Sequence, residues 1–192
     1  MTPIILASTS PYRKQIFERL QLPFETEAPN IEEGLRENEP AQAAVLRLAR
    51  QKARAVAERH SKGLVIGSDQ LAVLGTQIIG KPHSHEKAVK QLRSCQGNTV
   101  TFLTGLSVIN INDNSEQSCV ELFNVHFRHL NDREIENYLL KETPYDCAGS
   151  FKSEGLGIAL FDRLEGDDPN SLIGLPLIRL IKMLSNAGIQ VF

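Results

Sequence analysis

Ile4-Ile5-Leu6-Ala7-Ser8-Thr9-Ser10-Pro11-Tyr12-Arg13 runs from a short apolar stretch, through three hydroxyl residues and a proline, into a helical pattern. Residues 3–7 predict a buried strand and residues 11–21 a helix, with Ser10 as N-cap and Pro11 at the first helical position. A helix that starts straight after a strand aims free N–H groups and the positive end of its dipole at one spot, a ready-made place for a phosphate. Arg13 is in register with Ile16, Phe17 and Leu20, the stripe expected to face inward. An inward cation requires an anion, and the hydroxyl loop beside it points to a ligand.

Working outward, Phe24 to Ala28 predicts a short strand inside an acidic connection. Residues 40–60 predict a helix, because Val45, Leu48, Ala49, Ala53 and Val56 share one stripe and Gly63 follows as a stop. Residues 64–74 form an apolar strand interrupted by Gly67-Ser68-Asp69-Gln70, and 76–79 a strand paired back across Gly75. His85 to Cys95 reads as a helix capped by Ser84. Two longer strands, 99–112 and 118–129, flank the turn Asn112-Asp113-Asn114-Ser115. Asp132 to Lys141 is a short helix, 145–162 holds glycines around short strands, and Leu175 to Ala187 closes the chain as a helix stopped by Gly188. Alternating helices and strands with a long central hairpin predict an α/β protein with a mixed sheet.

Composition sets bounds. The 192 residues are enough for one ordinary domain or two small lobes, and 41% hydrophobic content supports a sizeable core. A net charge of −2 does not indicate a global polyanion-binding surface, so no nucleic-acid partner is expected, while a local basic pocket stays open. The N-terminus carries no basic, apolar leader pattern, and no apolar run approaches the ~20 residues of a membrane span. Cys95, Cys119 and Cys147 are odd in number and scattered, which fits a reducing cytoplasm and signals neither a disulfide framework nor zinc.

Several polar residues stand where burial would be costly. Asp69, within an apolar strand, reads either as a metal ligand or general base at a strand end, or as a carboxylate bonded to turn amides. Lys52 shares the apolar stripe of its helix, so it either snorkels at the edge or turns inward beside Arg13 to meet an anion. Gly80-Lys81-Pro82 holds a lysine in extended geometry, either aimed at a phosphate or in an exposed turn; no GxxxxGK[ST] loop occurs. Glu32-Glu33 is a solvated acidic loop or the source of a second carboxylate beside Asp69, a pair that would suit Mg²⁺. Ala148 to Gly155 brackets Lys152 and Glu154 with small residues, as a ligand-approaching loop or a bulged strand. His83 with His85, and His126 with His129, lack helical metal-binding spacing; on a strand His126 and His129 point to opposite faces. No Ser-His-Asp or Cys-His constellation and no GxSxG occurs.

Ala7-Ser8-Thr9-Ser10-Pro11-Tyr12-Arg13, Glu33, Lys52-Ala53, Gly67-Ser68-Asp69-Gln70, Gly80-Lys81-Pro82, Lys152-Ser153-Glu154-Gly155 and Gly174-Leu175-Pro176 occur in order. Together they resemble the Maf family of nucleoside triphosphate pyrophosphatases over nearly the whole chain. The resemblance implies a single domain over 1–192, with a mixed twisted sheet, flanking helices and two lobes around a central cleft, similar to inosine triphosphate pyrophosphatases. It implies cleavage of a nucleoside triphosphate to a monophosphate and diphosphate with Mg²⁺ or Mn²⁺, in a cytoplasmic homodimer. Asp69 matches the catalytic carboxylate, and Glu33 joins it as a metal ligand. Ser8, Arg13, Lys52, Lys81 and Lys152 match substrate-binding positions.

Departures from the commonest family pattern are Tyr12 in place of an arginine, Gln70 in place of a threonine and Glu154 in place of a glutamine. This combination resembles the subgroup acting on 7-methyl-GTP. N7-methylation makes guanine cationic, so stacking on Tyr12 would contribute about 0.5–2 kcal/mol. Glu154 would accept hydrogen bonds from the guanine N1–H and exocyclic amine, and Gln70 completes the base-selecting set. The expected reaction is 7-methyl-GTP to 7-methyl-GMP and diphosphate. The alternatives are the same chemistry on dTTP, UTP or another modified nucleotide, or a non-catalytic nucleotide-binding regulator of cell division.

Overall fold

The computed structural model describes residues 2–192. Its chain divides into two compact units: one holds the chain up to Gln70, Thr104–Glu121 and Asp168–Phe192, and the other holds Leu71–Leu103 and Leu122–Asp167. The elements, in chain order, are β1 (Ile4–Leu6), α1 (Pro11–Glu18), β2 (Glu25–Thr26), α2 (Ala41–Ala57), β3 (Leu64–Leu74), β4 (Gln77–Ile79), α3 (His85–Cys95), β5 (Thr99–Asn110), β6 (Ser115–Phe127), α4 (Asp132–Glu142), β7 (Phe161–Glu165), α5 (Pro169–Ile173) and α6 (Leu177–Asn186). The seven strands form one mixed sheet in the order β2-β1-β3-β5-β6-β7, with β4 on β3. β1 pairs parallel with β2 and β3, while β3–β4 and β6–β7 are antiparallel.

In the first unit the strand alternation sorts side chains onto two faces. Ile4, Leu6, Leu64, Ile66, Leu106 and Val108 pack with Ile16, Phe17 and Leu20 around α1 and with Leu177, Leu180 and Leu184 of α6. Ile5, Ala7 and Val65 face the other way, against Ala53 and Val56 of α2. This helix–sheet–helix layering buries both faces, which is why β1 and β3 read as continuous apolar runs. In the second unit, Phe102, Phe127, Phe151 and Phe161 stack edge to face with centroids 4.8–5.6 Å apart. α3 adds Ala88, Leu92 and Cys95 to the buried set, and α4 adds Ile135, Tyr138 and Leu139.

Most expected elements form, with three corrections. β3 is not interrupted at Gly67-Ser68-Asp69-Gln70 but runs unbroken for 11 residues. Its polar side chains each find a fixed partner, so the strand needs no break to solvate them. α1 stops at Glu18, short of residue 21, because Arg19, Leu20 and Gln21 bond three residues back and Gln21 turns left-handed (φ 54°). The stretch 145–162 contains tight 3₁₀ turns at Ala148–Ser150 and Leu156–Leu160 where short strands were expected, and α5 follows as an additional helix. Glycines at 149, 155 and 157 break any apolar period there, and α5 is only 5 residues long.

Candidate active site

β1 ends where β3 continues: Leu6 pairs with Ile66, so Asp69 lies three residues past the end of β1, beside the loop that enters α1. In that loop the buried Ser8 hydroxyl accepts from Ser10 N at 3.1 Å. The Ser10 hydroxyl in turn accepts from Arg13 N at 3.4 Å, as the N-cap expectation requires.

Alternation along β3 decides what Asp69 meets. Val65, Gly67 and Asp69 project towards α2, whereas Ile66, Ser68 and Gln70 project towards α5 and α6. The helix α2 comes unusually close because β3 and β5 present glycines beneath it. A Cβ on Gly67 would collide with the Ala49 carbonyl oxygen, and one on Gly105 with that of Val45. This approach sinks Lys52 to 4% exposure directly over Asp69, itself 6% exposed. The Lys52 ammonium donates to Asp69 Oδ1 at 2.7 Å and to Glu33 Oε2 at 2.7 Å. A buried lysine held by two carboxylates, one buried and one on an exposed loop, forms the charged centre of this unit.

Arg13 completes it. Its Nε donates to the Gly174 carbonyl at 2.9 Å, and that oxygen also accepts from the Ser68 hydroxyl at 2.9 Å. Gly174 ends α5 at φ 116°, a conformation closed to other residues without strain, and a Cβ there would press on Arg13 Nε at 3.3 Å. Burial pushes the Arg13 guanidinium below its ordinary pKa, while the charges of Asp69 and Glu33 pull it back up. The guanidinium still stays protonated. Its field therefore adds to that of Lys52 on the same two carboxylates.

The structure thus gathers Ser8, Arg13, Glu33, Lys52 and Asp69 within one unit, with Tyr12 half-buried at the second position of α1. Gln70 is also there, on the opposite face of β3 from Asp69. Its amide nitrogen donates to Thr104 Oγ1 at 3.0 Å, Ser171 O at 2.7 Å and Leu172 O at 3.0 Å, tying β3 to β5 and α5. In the second unit Lys81 and Glu154 are exposed and Lys152 is half-buried. The Lys152 amide is anchored on Tyr138 Oη at 3.1 Å, and burial pushes that phenol well above its ordinary value. His85 bridges Tyr145 and Glu136, and His126 bridges Thr99 and Glu165. β6 ends at Phe127, so His129 lies beyond it and strand alternation does not place it.

Among the described residues no group of three or more His, Cys, Asp or Glu side chains could cage a metal. Glu33 and Asp69 are nonetheless hard oxygen donors, and Mg²⁺ is commonly held by one or two carboxylates with substrate phosphates completing its shell. The donor set therefore fits a metal that arrives with a nucleotide. Sequence reading missed Ser68, Thr104, the Gly174 carbonyl and Arg47. Ser68, Thr104 and the Gly174 carbonyl have partners distant in the chain, and Arg47 grips a loop carboxylate and a loop carbonyl, so none leaves a periodic signal.

The family model for Maf-like proteins matches residues 3–187. A Pseudoalteromonas translucida protein named 7-methyl-GTP pyrophosphatase is 53% identical over 189 residues, spanning 98% of this chain and 94% of that protein. A Pseudomonas aeruginosa protein of the same name is 51% identical over 191 residues, spanning 100% of both. Among solved structures, the Staphylococcus aureus Ham1 protein superposes with a TM-score of 0.54 at 14% identity, covering 98% of this chain and 100% of that one. At that identity the likeness concerns the fold alone, which is the α/β class read from the sequence.

Proposed function

Since the chain belongs to the Maf family, we propose that it hydrolyses 7-methyl-GTP to 7-methyl-GMP and diphosphate. One observation carries the chemistry: a lysine buried between Asp69 and Glu33, with a half-buried arginine beside them. Simple nucleotide binding needs cations but no buried carboxylate facing them. The relatives' printed names support the choice of substrate.

In this reading the triphosphate draws the ammonium of Lys52 and the guanidinium of Arg13 onto its oxygens. Asp69 then orients a water and accepts its proton as the water oxygen bonds to the α-phosphorus. The bond between the α-phosphorus and its bridging oxygen breaks, and diphosphate leaves. Because phosphoryl transfer requires little covalent work from the protein, these fixed charges supply most of the rate. Glu33 and Asp69 would hold Mg²⁺ or Mn²⁺, which when bound neutralises phosphate charge. Ser8 and the loop amides before α1 anchor phosphate. Contacts of Lys81, Lys152 and Glu154 with substrate rest on the family motif, as do the cytoplasmic, homodimeric state and the stacking of Tyr12 on the methylated base. Gln70 is assigned to base selection by the same motif, while its amide nitrogen is held by Thr104, Ser171 and Leu172.

Diphosphate release should be measured with 7-methyl-GTP, GTP, dTTP, UTP, CTP and ITP in Mg²⁺ or Mn²⁺. A strong preference for 7-methyl-GTP is expected, narrowed about tenfold or more in Glu154→Gln, where a charged acceptor is lost. Preference for dTTP or UTP would sink the specificity reading, and affinity without turnover on all six would replace catalysis by regulation.

A further inference from the structure

Glu33 sits in an exposed segment without regular secondary structure, between β2 and α2, and its side chain is 55% exposed. A carboxylate on such a loop has many positions open to it, yet it must meet Lys52 and Asp69 in one of them. The loop is fastened at both ends. At its start, Arg59 donates to Glu27 Oε1 at 2.7 Å, Ala28 O at 2.8 Å and Pro29 O at 3.1 Å. At its far end stands Arg47, one helical turn before Gln51 on α2. Its Nε and Nη2 grip the two oxygens of Glu39, each at 2.6 Å, and Nη1 donates to Gln51 Oε1 at 2.9 Å. Nη2 also donates to the carbonyl of Gly34, the residue next to Glu33, at 3.1 Å. Glu39 closes the loop on itself by accepting from Arg36 N at 3.2 Å. The two side chains are 15% and 11% exposed, so the fork is largely shielded from water.

We infer that Arg47, with Glu39, is a positioning residue that fixes the Glu33 carboxylate over Lys52 and Asp69. This rests on the pyrophosphatase reading of that centre. A bidentate guanidinium suits the task because its planar fork sets direction as well as distance, which a lysine ammonium does not. Placement of Gly34 O by a helix-borne group transfers the rigidity of α2 to the neighbouring Glu33. Arg47 touches no reacting atom; it acts through the backbone of the loop.

The test compares wild type with Arg47→Met and Arg47→Lys in three readouts. These are steady-state kinetics on 7-methyl-GTP, amide exchange of the 28–39 segment, and Mn²⁺ binding by electron paramagnetic resonance in the presence of a non-hydrolysable nucleoside triphosphate. Arg47→Met is expected to lower kcat about 10–100-fold with KM little changed, to weaken Mn²⁺ binding by a similar factor, and to speed exchange in that segment, with Arg47→Lys between it and wild type. Unchanged kcat and unchanged Mn²⁺ affinity in folded Arg47→Met would overturn the inference, as would equal losses in kcat and in melting temperature for Met and Lys alike. If Arg47→Met does not fold, Arg47→Lys and Glu39→Gln carry the same comparison. Should wild type release no diphosphate, the functional reading fails separately. Amide exchange and Mn²⁺ binding then decide the role of Arg47 by themselves.

Discussion

Asp69 and Asp168 are both buried carboxylates of the same unit, 6% and 1% exposed, yet they are settled in opposite ways. Asp168 caps α5 and accepts from Asn170 N at 2.9 Å, Asn170 Nδ2 at 2.8 Å and Ile178 N at 2.7 Å. All three donors are neutral, and two belong to the backbone, so nothing that binds could readily replace them. Asp69 instead meets the ammonium of a long, flexible lysine that it shares with an exposed glutamate. A triphosphate can compete for that ammonium. Burial alone therefore does not distinguish a chemical carboxylate from a structural one; the kind of partner does.

The contrast can be broken by removing each partner set in turn. Lys52→Met should lower kcat about 10²–10³-fold, since a preorganised cation at the phosphoryl oxygens is gone. Rates must be normalised to folded protein, because Asp69 loses its cation as well. Asp168→Ala should destabilise by about 2–4 kcal/mol, from a lost cap and part-buried amides of Asn170 and Ile178 left without their acceptor. That corresponds to about 5–15 °C in Tm by calorimetry, with activity per folded molecule retained. Equal effects of the two substitutions on both quantities would dissolve the distinction.

Glu39 sharpens the comparison as a third case, a carboxylate tied to a cation but with no ligand to compete for it. Hydrogen bonds from Arg47, then from the Arg36 amide, hold it below its ordinary 4.5, at about 2. Because the folded value is the lower one, its stabilisation is present above about pH 4.5 and is lost as pH falls through about 2. The Tm advantage of wild type over Glu39→Gln should be small and constant above about pH 5. It should shrink below that and vanish near pH 2. An advantage that grows on acidification would reverse the sign and refute the assignment.

What was legible in the sequence follows from the range of the interactions. The turn into α1 was readable because its cap and proline act on neighbouring residues: Ser10 accepts from Arg13 N and Pro11 opens the helix. Lys52 was readable as an inward cation because the period of α2 placed it on the buried stripe. That it meets both Asp69 and Glu33 depends on how closely α2 approaches β3 and β5 over Gly67 and Gly105, a packing fact without local signature. The break expected in β3 came from weighing Ser68 and Asp69 as lone polar residues, whereas Gly105 O, Gly174 O and Lys52 satisfy them from 37, 106 and 17 residues away. Arg47 was invisible for a different reason: its partners Glu39 and Gly34 lie in a loop without periodicity, so it looks like any charged residue on a helix.

The most direct test is hydrolysis of 7-methyl-GTP in ¹⁸O-labelled water by wild type and by Asp69→Asn, with products analysed by mass spectrometry. The account predicts one ¹⁸O in the 7-methyl-GMP from wild type, and turnover reduced about 10³-fold or more in a folded Asp69→Asn protein. Label found in diphosphate, or an Asp69→Asn enzyme that turns over at the wild-type rate, would contradict it.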